Sequence, residues 1–125
     1  MENCLYKYSD AVEHGRKSVE LDATNVFGLS NYAWALNSMG HYGAALSFAD
    51  KALRVDPNDP ESWCAKGDAY FGLGDYQRAL AAFNRHAQLH PSEEYGFTRR
   101  ADTYEKLGLK QLADADRKKA AECAP

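Results

Sequence analysis

The chain of 125 residues carries 15 basic and 18 acidic side chains, which gives a formal net charge of −3, and 45% of its residues are hydrophobic. This balance is ordinary for a folded domain and excludes a disordered or collagen-like chain. A slightly acidic chain lacks the basic surface that binds phosphates, so we expect neither nucleic acid nor a membrane as its partner. The length suits one domain or one short array.

The cysteines indicate a reducing compartment, and the hydrophobic runs give no sign of a membrane span. Cys4, Cys64 and Cys123 are odd in number and form no CxxC pair, so we expect reduced thiols without a disulfide. The first residues show no basic segment followed by an apolar one, and no apolar run reaches the roughly 20 residues that a membrane span requires. We therefore expect a cytoplasmic protein.

Similar residues recur at a fixed spacing of 34 through most of the chain. One such set of equivalent positions is Gly40, Gly74 and Gly108. The other sets are Ala33, Gly67 and Ala101; Leu36, Tyr70 and Tyr104; Ala45, Ala79 and Ala113; Pro57, Pro91 and Pro125; and Leu29, Trp63 and Phe97. A sustained period of this length indicates a tandem array of structural repeats.

Each repeat unit is predicted to form two amphipathic helices, because apolar or small residues recur at helical spacing before and after its central glycine. Gly74 can adopt the left-handed conformation that ends a helix, and Asp75 can cap the next helix. Asp59, which precedes a proline, predicts the start of the first helix in the middle unit. Asn25 and Ser92 occupy similar positions before the other two units.

The middle unit contains the pattern W-x2-K-G-x2-Y at residues 63–70, then A-x3-F at residues 79–83, then Pro91. This combination resembles the tetratricopeptide repeat, a pair of antiparallel helices. The resemblance implies an all-α fold, a right-handed superhelical solenoid of antiparallel helix pairs. It would contain three repeats plus one extra N-terminal helix, or about seven helices.

The same resemblance divides residues 1–125, which we expect to form a single domain. The three repeats would span 26–59, 60–93 and 94–125. Residues 1–25 are similar to the second helix of a preceding, partial repeat.

Some residues depart from the family pattern. Lys66 and Arg100 stand where leucine is usual, and His86 stands where the neighbouring repeats have alanine. We expect these departures to affect local packing and to leave the fold unchanged. We expect the last helix, over residues 111–122, to be a solvated capping helix, with Asp116 among its charged residues.

We expect no enzyme activity and no bound cofactor or metal. The sequence contains none of the patterns GxSxG, HExxH, GxxxxGK[ST] or GxGxxG. His86 and His90 have a spacing that a metal ion can bridge, but a third ligand is missing, so we interpret them as packing and turn residues. We interpret Cys64 as a passive thiol.

By resemblance to the family, the first helices of the repeats line a concave groove, where we expect the partner to bind. The predicted binding residues are Phe27, Asn31, Trp34, Asn37, Cys64, Asp68, Phe71, Tyr95, Arg99 and Asp102. Aromatic side chains are typical anchors at binding hot spots, and amides can pair with the backbone of an extended segment. In the alternative interpretation, some of these aromatic residues pack between repeats or against a missing N-terminal helix.

A known subclass of the family holds the acidic tail of a chaperone in a carboxylate clamp of Lys, Asn and Arg. The corresponding positions here hold Ser30, Trp34, Ala65, Tyr95 and Arg99. Because only the arginine matches, we expect no such clamp. We expect instead a protein or peptide segment with an apolar anchor, together with a basic residue near Asp68 and Asp102.

The predicted function is a non-catalytic protein–protein interaction module, an adaptor or scaffold that binds a partner segment in the concave groove. One alternative is structural self-assembly, or homodimerisation through the apolar N-terminal helix over residues 5–21. Another is a regulatory repeat fragment of a larger protein, whose activity resides elsewhere in that protein.

Overall fold

A computed structural model describes residues 25–123, and this part of the chain contains six helices and no strand. The helices are α1 (Val26–Ser38), α2 (Tyr42–Val55), α3 (Pro60–Gly72), α4 (Tyr76–Leu89), α5 (Glu94–Lys106) and α6 (Lys110–Cys123). The expected all-α fold of consecutive helix pairs is confirmed. The additional N-terminal helix predicted within residues 1–25 lies outside the described residues, apart from Asn25 at the start of α1.

Each helix pair turns at a glycine in the left-handed region, as predicted for Gly74. Its φ angle is +81°, and Gly40 and Gly108 adopt φ angles of +83° and +78°. The backbone N–H of Asp75 donates to the carbonyl of Tyr70 at 2.9 Å, which closes a Schellman motif at the end of α3. These turns bring the two helices of each repeat together.

The helix starts follow the predicted caps with one exception. The side chains of Asn25, Asp59 and Asp75 each accept a hydrogen bond from a backbone N–H in the first turn of the next helix. The prediction of Ser92 as the cap of α5 is wrong, because that helix starts after Glu93. The N–H of Glu93 donates to the carbonyl of His90 at 3.2 Å, and this turn encloses Ser92 before the helix begins.

Small residues mark the contacts between helices. The fully buried alanines of the recurring sets are Ala33, Ala45, Ala79, Ala101 and Ala113. A Cβ atom on Gly67 would lie 2.6 Å from Cε1 of Phe83, so only glycine lets α3 approach α4 this closely. In addition to the contacts between consecutive helices, α1 contacts α3 and α3 contacts α5. The first helices of the repeats therefore form one continuous face.

His86 is accommodated where the neighbouring repeats have alanine. Its side chain is buried, and Nδ1 donates a hydrogen bond to the carbonyl of Pro60 at 2.9 Å. Its ring also contacts Gly96 of α5 so closely that a Cβ atom there would collide with the ring. The larger side chain thus depends on a glycine opposite it, and the fold remains unchanged as expected.

The expectation that Asp116 is solvated in the last helix is wrong. The residue is only 2% exposed. Its carboxylate accepts hydrogen bonds from Nε and Nη2 of Arg100, at 2.6 and 2.7 Å. Arg100 also donates from Nη1 to the Asn84 amide oxygen at 3.1 Å, so one guanidinium joins α4, α5 and α6. The other charged residues of α6 are exposed, as the capping interpretation requires.

Candidate functional site

The face formed by α1, α3 and α5 contains two adjoining cavities, which together we call the groove. The larger cavity has a volume of about 520 Å³, and the smaller has a volume of about 200 Å³. Trp34 of α1, Asp68 of α3 and Tyr95 of α5 line both cavities, so each repeat contributes one residue to the boundary between them. Such a groove can hold a chain segment that crosses the three repeats.

Eight of the ten predicted binding residues line the groove. Those in the larger cavity are Asn31, Trp34, Cys64, Asp68 and Tyr95, and the smaller cavity adds Asn37, Phe71 and Arg99. The remaining two predicted residues line neither cavity. The side chain of Phe27 is 74% exposed near the start of α1, and the carboxylate of Asp102 lies 3.5 Å from Arg117 of α6.

Arg99 is hydrogen-bonded to two carboxylates at the centre of the groove. Its Nε donates a hydrogen bond to Asp68 at 2.8 Å, and its Nη1 donates to Asp102 at 3.1 Å. The hydroxyl of Tyr95 donates to the second Asp68 oxygen at 2.8 Å. Burial of the guanidinium lowers the pKa of Arg99, but the hydrogen bond and charge of Asp68 outweigh it, so its pKa is raised overall.

The aromatic residues of the groove divide into wall and surface. Phe71 is half-buried, with the Arg99 guanidinium 4.4 Å from its ring centroid and Tyr76 packed edge-on at 5.2 Å. The ring of Phe71 is therefore part of the groove wall, between Tyr76 of its own repeat and Arg99 of the next repeat. Trp34 is 47% exposed and Tyr95 is 44% exposed, so both offer ring surface to a bound segment.

The two amides of the groove are placed differently. Asn31 is exposed at the larger cavity, where its side chain is accessible to a ligand. Asn37 donates from Nδ2 to the carbonyl of Ala65 at 2.9 Å and thereby connects α1 to α3. Its Oδ1 atom is buried and has no hydrogen-bond partner among the described residues. The hydrogen bond of Asn37 therefore links the first repeat to the second.

Five residues of the larger cavity are not among the ten predicted binding residues: Ser30, Glu61, Ala65, His86 and Glu93. Glu61 is equivalent to Phe27 and Tyr95 in the period of 34, so the sequence already places it on the face that lines the groove. His86 belongs to the second helix of its repeat, and Glu93 precedes α5. Because neither lies on a first helix, only the packing of the repeats brings them to this cavity.

Burial and negative charge keep the Cys64 thiol protonated. Burial raises its pKa, and the carboxylates of Asp68 and Glu61 raise it further. The pKa of Tyr95 is raised by burial and then by the charge of Asp68. A protonated, buried thiol is a poor nucleophile, which agrees with the interpretation of Cys64 as passive.

Residues 25–123 do not bring three His, Cys, Asp or Glu side chains into an arrangement that would hold a metal ion. The rings of His86 and His90 lie 5.9 Å apart, and the first of them is held by Pro60. In the same range, every helix is too short or too polar to cross a membrane.

Comparison with profiles of protein families shows which family the chain belongs to. The family profile described as "Tetratricopeptide repeat" matches residues 31–94, which is half of the chain. The chain belongs to the tetratricopeptide repeat family. The matched range covers α1 from Asn31, the three following helices and the start of α5, and so includes most of the groove.

Solved structures of other tetratricopeptide repeat proteins share this fold. TTC0263, described as a thermophilic TPR protein of Thermus thermophilus, has a TM-score of 0.88 at 23% identity, over 99% of this chain and 69% of that chain. MamA from Desulfovibrio magneticus RS-1 has a TM-score of 0.82 at 19% identity, over 97% and 68%. A further MamA crystal structure has a TM-score of 0.79 at 23% identity, over 93% and 68%.

At these identities the likeness concerns the fold, a tetratricopeptide solenoid. Comparison with curated protein sequences gave no match. Members of this family serve generally as protein-interaction modules, and the fold alone does not determine the particular role of this chain.

Proposed function

We propose that this chain is a non-catalytic adaptor or scaffold that binds an extended segment of a partner protein in the groove. The observation that carries the proposal is the pair of adjoining cavities bounded by Trp34, Asp68 and Tyr95. A concave surface with exposed aromatic rings and a few polar groups is the usual form of a binding site. A short segment buries less area than a full protein interface, so we expect transient binding, on the order of micromolar.

An apolar side chain of the partner is the expected anchor. The half-exposed rings of Trp34 and Tyr95 belong to different repeats and border both cavities, whereas Arg99 and Phe71 form the wall beneath them. A wall held by hydrogen bonds loses little conformational freedom on binding, which favours affinity. Aromatic rings on such a support are the residues at which binding energy usually concentrates.

An acidic chaperone tail is a poor fit to this groove. The only cation at the positions of the carboxylate clamp, Arg99, is already hydrogen-bonded to Asp68. Glu61 and Glu93 add two more carboxylates to the larger cavity. A tail that ends in carboxylates would meet repulsion there without a free guanidinium to hold it. The family's known clamp is therefore not part of the proposed function.

The alternative of homodimerisation through residues 5–21 concerns a segment outside the described residues. The alternative of a regulatory fragment concerns a larger protein. Neither is favoured by a specific observation on residues 25–123, so the groove is the function that we propose.

Tryptophan fluorescence tests the proposal. The chain has two tryptophans. Trp34 lines the groove, whereas Trp63 lines neither of its cavities. Nε1 of Trp63 donates a hydrogen bond to the carbonyl of Pro57 at 2.8 Å. In a Trp63→Phe protein, the emission comes from Trp34 alone. We expect peptides selected from a random library on the whole chain to shift this emission and to bind about tenfold more weakly to Trp34→Ala.

The matched control is Leu73→Ala, which removes another exposed hydrophobic side chain, at the end of α3, that lines neither cavity. This variant should bind the selected peptides normally. Circular dichroism establishes that both alanine variants are folded. Selected peptides that bind Trp34→Ala as tightly as the wild type would show that the groove is not the binding site.

A further inference from the structure

The larger cavity of the groove has an excess of negative charge. Glu61, Asp68 and Glu93 line it, and within residues 25–123 neither lysine nor arginine does. Asp68 is hydrogen-bonded to Arg99, whose side chain lines the smaller cavity instead. Glu93 lies 3.5 Å from the imidazole of His90, and Glu61 is exposed without a described ion-pair partner. Two of the three carboxylates therefore lack a permanent cation.

The carboxylates act together on the interior of this cavity. Cys64 lies among them. Its thiolate is disfavoured first by burial and then by the charges of Asp68, Glu61 and Glu93, and the charge of Arg99 offsets only part of this effect. A site at which several carboxylates disfavour an anion favours a cation for the same electrostatic reason.

His86 gives a second, independent indication of a ligand. Its imidazole is 1% exposed and lines the larger cavity between α3 and α5. Because Nδ1 faces the carbonyl of Pro60, this nitrogen carries the hydrogen, and Nε2 of the neutral ring is an acceptor. No described residue donates a hydrogen bond to Nε2. A buried acceptor without a donor is costly, and a ligand with N–H groups would supply one.

We propose that the larger cavity binds the cationic side chain of a lysine or arginine of the partner segment, between Glu61 and Glu93. This inference rests on the proposed function and adds the chemistry of the bound segment. The ammonium or guanidinium lies between the two carboxylates, with N–H groups directed towards His86. The aliphatic part of the cationic side chain, or the residue next to it, packs on the ring of Trp34.

The position differs from the one expected from the sequence. A basic residue near Asp68 and Asp102 would meet carboxylates that Arg99 already neutralises, together with the positive charge of Arg99 itself. Glu61 and Glu93 offer uncompensated charge at the edge of a cavity of about 520 Å³, which can hold a whole side chain. Charge complementarity therefore selects the larger cavity.

The experiment selects random decapeptides displayed on phage against the whole chain, against Glu61→Gln/Glu93→Gln and against Trp34→Ala. We expect the wild type to enrich lysine or arginine beside an aromatic or aliphatic residue. The double variant should enrich the apolar residue without the cation, because the amides keep the shape of the cavity and remove its charge. Trp34→Ala should enrich neither.

A second measurement uses the most enriched wild-type peptide and a copy in which norleucine replaces lysine, or citrulline replaces arginine. By calorimetry, the wild type should bind the copy about fivefold more weakly, whereas the double variant should bind both peptides equally. The control is Glu94→Gln, since Glu94 is exposed in the first turn of α5 and lines neither cavity. This variant should keep the full discrimination.

The outcomes separate the inference from the proposed function. Peptides that depend on Trp34 but show no preference for a cation would overturn the inference and leave the groove as the binding site. A preference for a cation that persists in Glu61→Gln/Glu93→Gln would also overturn it. Peptides that bind independently of Trp34, or no enriched peptides at all, would overturn the proposed function and the inference with it.

Discussion

Nε of Arg99 donates a hydrogen bond to Asp68 at 2.8 Å and thereby joins the first helix of the third repeat to that of the second. The guanidinium lies over the ring of Phe71, and the carboxylate also accepts from Tyr95. The smaller cavity is therefore electrically balanced by its own residues. The uncompensated charge of the groove lies in the larger cavity, which gives the two cavities different chemistry.

The pairing of Arg99 with Asp68 should be measurable as a coupling energy. We expect Arg99→Met and Asp68→Asn to show a coupling of about 1–2 kcal/mol in a double-mutant cycle, because the Asp68 side chain is only 12% exposed. The measurement is the free energy of unfolding in urea. The exposed pair Arg78 and Asp75, 3.5 Å apart, is the control and should couple by less than about 0.5 kcal/mol. Equal coupling of the two pairs would contradict the prediction.

Removal of Asp116 should destabilise the last repeat strongly. The Asp116→Ala variant leaves the Arg100 guanidinium, whose side chain is 14% exposed, with the Asn84 amide alone, and we expect a loss of about 3 kcal/mol or more. Replacing both partners, in Arg100→Met/Asp116→Leu, should restore most of this loss because no buried charge remains.

Urea unfolding measures both proteins, and Asp114→Ala on the same helix is the control. The Asp114 side chain is 63% exposed and 3.8 Å from Arg117, so its loss should cost less than about 0.5 kcal/mol. If Asp116→Ala behaved like this control, the pair with Arg100 would not be a structural contact in solution.

The helix boundaries could be predicted because their signals are local. A glycine with φ near +80° and an aspartate cap act within one turn of the chain, and Gly74 and Asp75 carry both signals in adjacent positions. Ser92 was a wrong cap for a related reason. Its residue type suits a cap, but Ser92 lies inside the turn from His90 to Glu93, whose second residue is a proline, as in the equivalent turn from Asp56 to Asp59 one repeat earlier.

The polar contacts between helices were less predictable, although the period of 34 contained a partial signal. Lys66 pairs with Asp50 at 2.8 Å, and the equivalent residues one repeat later, Arg100 and Asn84, are hydrogen-bonded at 3.1 Å. Two departures from the usual leucine thus have polar partners at the same spacing. Asp116 has no polar equivalent in the earlier repeats, so nothing in the period indicated its burial.

The groove likewise has features that the sequence predicts and features that depend on the packing of side chains from different helices. The face of the first helices follows from the repeat positions, and eight of the ten residues selected from it line the cavities. Whether a carboxylate there is free or paired depends on side chains from different helices, as for Asp68 with Arg99 and for Asp102 with Arg117. His86 and Glu93 reach the larger cavity only through the stacking of repeats. The charge of the site therefore required the structure.

Gly74 should resist substitution for conformational reasons alone. A Cβ atom there would meet nothing within 4 Å, but the φ angle is +81°. We expect Gly74→Ala to lower the free energy of unfolding by about 1 kcal/mol or more, and Gly74→Val by a larger amount. Gly43, inside α2, also has open space around it and no positive φ, so Gly43→Ala should instead stabilise by up to about 1 kcal/mol. Thermal unfolding of both alanine variants checks the opposite signs.

Ionisation of Cys64 should make stability fall in alkaline solution. Its pKa in the folded protein is raised above the ordinary 9.0, by burial and by neighbouring carboxylates. Above pH 9.0 the unfolded chain has lost this proton while the folded chain retains it, so the folded state loses stability as the pH rises, by up to about 1.4 kcal/mol per pH unit. Well below pH 9.0 the thiol is protonated in both the folded and the unfolded chain, so it adds no pH dependence to the free energy of unfolding.

Cys64→Ala removes this ionisation, whereas Tyr95 and every other group titrate in both proteins. The free energies of unfolding in urea, measured at about pH 7.5 and about pH 10, should therefore fall less for the variant than for the wild type, by about 1 kcal/mol. The comparison of two pH values cancels the cost of the smaller side chain. Parallel losses in the two proteins would mean that the Cys64 thiol ionises as readily in the folded chain as in the unfolded one.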